Sequence, residues 1–321
     1  MTPPIEDSIR KIGPGHWLLG SFVTCEIVPS TPADAFISWQ DEEGQTFCLR
    51  RMTPIESLYE ARESASVEGR VHQAGTSAAI WNFGGAFFKV KAWRQGMQLE
   101  GDTIRHVNNI STIPTPKVVF SWVDSEWNRS FLVLTAVEGE TLRQAWPTLS
   151  SDQRRNVADV VARFCKDLAL STSERLETVD KKGIVEPFLS VCPPDSEPSW
   201  RPQLLGPFDS SGLQKYLYCS SLEILVPERR LYLFHADLGP GNIMLKDGRI
   251  TGILDWESAA YYPRYWLATK PLVSAGFYLE GSIKAQKREW ADLLVQSLQL
   301  QGFSSDIRAY KSWKSAIERL S

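Results

Sequence analysis

The chain has 321 residues, 43% of them hydrophobic and 23% charged, with a net charge of -3 and a sequence pI near 5.9. This composition suits a soluble globular protein with a sizeable core and excludes a largely disordered chain. Lys and Arg form no cluster, so neither nucleic acid nor an anionic membrane is expected as the main partner, and no apolar run approaches membrane-spanning length.

The cysteines Cys25, Cys48, Cys165, Cys192 and Cys219 are scattered and show no Cys-x-x-Cys spacing, which fits a reducing compartment and no zinc site. The start, Met1 to Asp7, lacks the basic and apolar regions of a secretory signal, so a cytoplasmic location is expected.

In residues 1–65, Ala35–Gln40 and Gln45–Arg50 flank Asp41-Glu-Glu-Gly44, a hairpin pattern. This region is expected to be an N-terminal extension or a small-lobe hairpin, with His16 structural. Strand patterns resume at Arg70–Gln73, Ala78–Phe83 and Ala86–Lys91. Gly75-Thr-Ser77 joins the first pair and Gly84-Gly85 the second, the latter as a tight turn. Lys89 and Lys91 share one strand face by the period of two. Met97–Val107 has helical apolar spacing with Glu100 near its start, and Pro114 and Pro116 follow it.

Lys117–Trp122 and Phe131–Ala136 are expected as two further strands, followed by Val137-Glu-Gly-Glu-Thr-Leu142. The period then becomes helical. Ser150-Ser-Asp-Gln153 is a capping-box pattern ahead of Val157, Val160, Val161, Phe164 and Leu168. Residues 171–212 are rich in Pro, Ser and Asp and are expected as a long loop of the functional or mobile kind. A helical segment near Leu213–Leu225 and two closing helices, Gln286–Leu300 and Asp306–Leu320, complete the pattern.

The most informative stretch is Leu231–Glu257. A strand-like run delivers the chain to His235, a loop rich in Gly and Pro holds Asp237 and Asn242, and two apolar segments flank Asp247-Gly248 as in a hairpin, ending on Asp255. Asp237 and Asn242 are spaced as in the kinase loop H-R-D-x-x-x-x-N, and Asp255 takes the place of the Asp in D-F-G. Phosphoryl transfer needs such a set: a carboxylate that takes the nucleophile's proton and oxygen ligands for magnesium. Asp237 is therefore expected to be the base, Asn242 and Asp255 the metal ligands, and His235 a brace for the loop. Lys89 stands where the Lys of V-A-I-K would hold the α- and β-phosphates, with Lys91 as the competitor.

His235-Ala-Asp-Leu-Gly-Pro-Gly-Asn242 followed by Ile253-Leu-Asp-Trp-Glu257 resembles the aminoglycoside phosphotransferase and choline kinase family. Tyr261-Tyr-Pro-Arg-Tyr-Trp266 and Gly206-Pro-Phe208 resemble its fungal branch in particular. The resemblance implies an α+β, bilobal protein-kinase-like fold with a small antiparallel β lobe carrying one helix and a larger, mostly helical C-terminal lobe. The expected divisions are 1–65, 66–137 and 138–321.

It also implies ATP between the lobes, with Mg2+, and a small-molecule acceptor bearing a hydroxyl, with a cationic or aromatic one among the options. Glu100 would pair with Lys89, Gly75 and Ser77 would approach the phosphates, and the backbone from Thr135 to Val137 would meet the adenine edge. Two departures stand out: Ala236 replaces the usual Gly between His and Asp, and Leu267 replaces the acidic residue that often follows Tyr-Trp. Tyr261, Tyr262, Tyr265 and Trp266 are expected as packing, with acceptor contact as the alternative. Aminoglycoside, choline-like amine, sugar and secondary metabolite all remain compatible as acceptors, as does GTP in place of ATP. Competing functions are an inactive kinase-like nucleotide-binding module and a scaffold turned to phosphorylation followed by elimination.

Overall fold

A computed structural model describes residues 3–53, 69–190, 204–218, 230–281 and 283–318. Cys192, Cys219 and the later part of the helix expected near 213–225 lie outside the described residues. The protein is a mixed α/β chain, with antiparallel sheets in the N-terminal region and helices toward the C-terminus. Of the described residues, those up to Gln95 together with Lys117–Ala136 form one compact unit, and Gly96–Pro116 with those from Val137 onward form another.

In the first unit, β1 (Ile9–Gly13), β2 (His16–Leu19), β3 (Val23–Val28), β4 (Ile37–Gln40) and β5 (Thr46–Arg51) form a sheet in the order β1-β2-β3-β5-β4. A second five-stranded sheet comprises β6 (Arg70–Ala74), β7 (Ala78–Phe83), β8 (Ala86–Ala92), β9 (Val118–Asp124) and β10 (Arg129–Thr135), ordered β6-β7-β8-β10-β9. Both are antiparallel throughout.

One apolar core joins the two sheets: Leu19, Val23, Phe47 and Leu49 from the first meet Trp81, Phe83, Phe88, Val90, Phe131 and Val133 from the second. In β8, Ala86, Phe88, Val90 and Ala92 are buried in alternation with Phe87, Lys89 and Lys91. The lysines therefore leave the strand on the face opposite the first sheet.

The first sheet is fastened at several points. The Trp39 indole N–H donates to the Gly84 carbonyl at 3.1 Å, and a Cβ on Gly84 would stand 2.4 Å from the Phe47 ring. Gly84 and Gly85 both have positive φ, as a tight turn between β7 and β8 requires. Buried Asp124 accepts the Ser21 amide at 2.5 Å, and buried Arg129 donates to the Pro3 carbonyl at 2.7 Å. The sequence offered one hairpin in this region, now β4 and β5; β1 to β3 are additional.

The second unit contains α1 (Glu100–Ile110), then β11 (Glu140–Thr141), α2 (Leu142–Ala145) and α3 (Ser151–Leu168). The capping box at α3 is present: the Ser150 hydroxyl accepts the Gln153 amide at 3.3 Å, and the Gln153 side chain accepts the Ser150 amide at 2.8 Å. Next come β12 (Thr172–Ser173), β13 (Ile184–Val185), β14 (Leu204–Leu205) and α4 (Ser210–Tyr218).

The central stretch forms β15 (Leu231–Phe234), β16 (Ile243–Lys246), β17 (Arg249–Ile253) and β18 (Ala260–Tyr262), followed by α5 (Trp266–Val273), α6 (Lys284–Leu300) and α7 (Ile307–Glu318). β15 lies between β12 and β18, β16 lies between β11 and β17, and β13 pairs with β14. Helix α6 packs on both α3 and α5. No helix among the described residues is long and apolar enough to cross a membrane.

Candidate active site

β15 carries Leu-Tyr-Leu-Phe, three of them buried, into the fully buried His235. The His235 Nε2 lies 2.9 Å from the Leu254 carbonyl, and Nδ1 lies 3.1 Å from the Asp237 amide nitrogen. A carbonyl accepts and an amide N–H donates, so the ring is the neutral tautomer protonated on Nε2. Trp256 packs edge-on against the ring at 4.5 Å between centroids. Both nitrogens are thus engaged in tying the loop start to the end of the hairpin.

Ala236 has φ +63°. The departure from Gly falls on a left-handed residue, where an L side chain costs about 1–2 kcal/mol. Beyond it, Gly239 faces the Gly276 carbonyl so closely that a Cβ would stand 2.4 Å from that oxygen. The Trp290 indole N–H on α6 donates to the buried Leu238 carbonyl at 3.0 Å. The Asn242 amide group donates from Nδ2 to the Asp237 backbone carbonyl at 2.9 Å and to Asp237 Oδ2 at 3.0 Å.

Asp247 and Gly248 have φ +52° and +72°, the two left-handed residues of a type I′ hairpin turn. The turn sends β17 back along β16, and the Leu254 amide donates to the Asn242 carbonyl at 2.8 Å. Asp255, the next residue, is itself left-handed at φ +63° and ends the strand beside the loop. Left-handed residues other than Gly are uncommon and concentrate at functional sites.

Burial pushes the Asp237 carboxyl above the usual aspartate range. Lys270 pulls it back, the Asp255 and Glu257 charges push in the same direction as burial, and the Asn242 bond opposes them. Glu100, at the first position of α1 and buried, accepts the Trp256 amide on Oε1 at 3.0 Å. The Gln98 side-chain amide donates to the Glu257 carbonyl. Carboxylate oxygens of Glu100, Asp255 and Glu257 lie within 4.8 Å of one another. This all-oxygen set, with no thiolate or imidazole in it, fits a hard cation such as magnesium rather than zinc.

His235, Asp237, Asn242, Asp255, Glu100 and Val137 belong to the second unit, and Lys89, Lys91, Gly75, Ser77 and Thr135 to the first. Lys89 and Lys91 are half-buried on β8. Gly75 has φ +55° and is exposed, and the Ser77 hydroxyl donates to the Ala74 carbonyl at 3.3 Å. The Thr135 hydroxyl accepts the Lys117 amide at 3.1 Å. Val137 packs on Gly252, and a Cβ on Gly139 would stand 2.0 Å from the Leu245 carbonyl oxygen, so this segment lies directly on the hairpin that ends at Asp255.

Sequence reasoning missed three contributions: Glu257 as a member of the oxygen cluster, Trp290 as a support for the loop, and the buried pair Glu186–Lys270. The signal for the pair was a single charge within each of two apolar runs, Ile184-Val-Glu-Pro-Phe-Leu189 and Trp266-Leu-Ala-Thr-Lys-Pro-Leu-Val273.

The model of the phosphotransferase enzyme family matches residues 41–266. No curated protein matches the chain. Among solved structures, the aminoglycoside phosphotransferase APH(4)-Ia is similar at 18% identity over 82% of this chain and 97% of that chain, with a TM-score of 0.44. A streptomycin-ATP-APH(2")-IIa ternary complex is similar at 16% identity over 78% and 80%, TM-score 0.42. A GDP and kanamycin complex of APH(2")-IIia is similar at 15% identity over 82% and 85%, TM-score 0.43.

Proposed function

The chain belongs to the phosphotransferase enzyme family, and from that premise we propose that it transfers the γ-phosphoryl group of ATP to a hydroxyl of a small molecule, with magnesium. The observation that carries this reading is the joining of Asp237 to Asn242 at 3.0 Å in one loop, to which the β16–β17 hairpin returns Asp255 through the Leu254–Asn242 backbone bond.

In this reading Asp237 accepts the acceptor's hydroxyl proton while the oxygen attacks the γ-phosphorus. The bond from that phosphorus to the β–γ bridging oxygen breaks, ADP leaves, and Asp237 later returns the proton to solvent. His235 takes no proton: it orients the loop through its two hydrogen bonds. Asn242 and Asp255, with Glu257 beside them, would hold magnesium, which neutralises phosphate charge when bound. Lys89, with Lys91 as the competitor on the same strand face, would hold the α- and β-phosphates. The first unit is then the nucleotide-binding lobe and the second the catalytic and acceptor lobe, as in protein-kinase-like folds.

The test is acceptor-dependent ADP release from Mg2+ and ATP across a panel of aminoglycosides, amino alcohols and sugars. Asp237→Ala is expected to lower turnover by about a hundredfold to ten-thousandfold. Asp255→Ala should abolish the stabilisation of the protein by Mg2+ and ATP. Nucleotide binding without turnover on any acceptor would instead favour a binding module.

A further inference from the structure

Helix α5 ends in a short turn, Ser274-Ala275-Gly276-Phe277, that lies against the loop carrying Asp237. The turn is held from within and from behind. The Ser274 hydroxyl accepts the Gly276 amide at 3.2 Å, the Tyr278 amide donates to the Ala275 carbonyl at 3.0 Å, and buried Phe277 lines a small cavity with Leu238 and Leu294. Its front reaches the carboxylate. A Cβ added to Gly276 would stand 3.7 Å from Asp237 Oδ1, whereas the Asn242 amide bonds the other oxygen, Oδ2.

The fold does not demand glycine at this position. The φ of Gly276 is outside the left-handed region, and the atoms nearest an added Cβ, Ser274 Oγ at 3.4 Å and Asp237 Oδ1 at 3.7 Å, stand at ordinary contact distance. Among the described residues no other atom comes within 4 Å of that Cβ, its chain neighbours apart. Gly239 is the contrasting case, since its Cβ would meet the Gly276 carbonyl oxygen at 2.4 Å. A glycine that neither strain nor crowding requires costs conformational entropy on folding that alanine would spare. Gly276 is exposed and Asp237 half-buried, so the missing side chain leaves the solvent side of Oδ1 uncovered.

Resting on the function proposed above, we propose that Gly276 is a specificity-determining residue on the acceptor side of Asp237, whose lack of a side chain lets a hindered hydroxyl, one on a substituted ring carbon, reach Oδ1. A hydroxyl that gives its proton to Oδ1 comes within about 2.6–3.2 Å of it, and the carbon bearing that hydroxyl then lies about 3.5–4 Å away. The Cβ of any larger residue at 276 falls in the same shell. A primary alcohol can turn hydrogens toward such an obstacle, but a ring carbon presents further carbon. The turn has little room to yield, because its Gly276 carbonyl already abuts Gly239.

The experiment is steady-state kinetics of the full chain at saturating Mg2+ and ATP. The acceptors are ethanolamine, whose hydroxyl is unhindered, and 2-aminocyclohexanol and inositol, whose hydroxyls sit on ring carbons, beside the aminoglycosides of the wider panel. The best acceptor is expected to take phosphate on a ring carbon, as phosphorus NMR of the product reads. For that acceptor Gly276→Ala should lower kcat/KM about tenfold or more, and Gly276→Val should lower it further. ATP affinity in the presence of Mg2+ should stay within about twofold of wild type, and the melting temperature of Gly276→Ala should equal or exceed it. Turnover that falls while stability holds separates an obstructed acceptor from a damaged fold, and the alanine variant carries the test where the valine variant does not fold. Three results overturn the inference and leave phosphoryl transfer standing: a best acceptor phosphorylated on an unhindered primary hydroxyl, a loss of kcat/KM below about threefold in Gly276→Ala, or a loss matched by lower ATP affinity or a lower melting temperature. Wild-type protein that turns over no acceptor overturns the parent reading and this inference together.

Discussion

Removing residues 1–53 tests whether the first sheet is an appendage or part of the core. The cut strips the cover from Trp81, Phe83, Phe88, Val90, Phe131 and Val133, all buried against that sheet. Each such side chain contributes about 1.5–3 kcal/mol when fully buried, so six amount to about 9–18 kcal/mol. A folded domain is stable by about 5–15 kcal/mol, and even half the loss is comparable with that whole margin. The truncated chain is therefore expected to be aggregated or molten, with lost near-UV circular dichroism and strong dye binding to exposed apolar surface. The readouts are size-exclusion chromatography, near-UV spectra and thermal unfolding. A monomeric truncated protein that unfolds cooperatively within about 3 °C of the full chain would refute the reasoning. The test has a practical edge, because the family match begins at residue 41 and invites trimming before it.

Asp237→Asn should raise thermal stability near neutral pH. The folded carboxyl titrates above its unfolded value, so the cost of ionising it is fully present above the folded pKa and vanishes below the unfolded one, about 3.9. The gap in melting temperature should therefore close as pH falls toward that value, and a gap independent of pH, or a variant less stable at neutral pH, contradicts this. Gly239→Ala places a Cβ 2.4 Å from the Gly276 carbonyl oxygen. Backbone must move to admit it, at about 1–3 kcal/mol, and turnover should fall at least tenfold along with the melting temperature. An unchanged melting temperature would mean that the loop and the α5 turn are looser than described.

The loop that carries Asp237 and Asn242 and the hairpin after it were legible because their determinants are local. Asp247-Gly248 names its own turn type, the period of two names the flanking strands, and fewer than twenty residues separate Asp237 from Asp255. The capping box at α3 was legible for the same reason. What escaped depends on distant partners. The Glu100 carboxylate accepts the Trp256 amide, 156 positions away, a contact that no local pattern names. Glu186 and Lys270 are 84 positions apart, and neither names the other. β1 to β3 escaped for a different reason: they are four to six residues long, mix buried and partly exposed positions, and gain their cover from a sheet later in the chain. Ala236 could be seen to differ from Gly, but the left-handed turn that gives the difference its cost is a property of the folded loop.

The added layer has one more effect, on the phase of the lysine strand. With one face of β8 sealed by apolar packing, sliding the strand by a single position would drive Lys89 and Lys91 between two sheets and turn Phe88 and Val90 out of the core. A bare sheet edge would tolerate that error far more readily. Residues outside the strand itself thus dictate which face of the second sheet carries its positive charge.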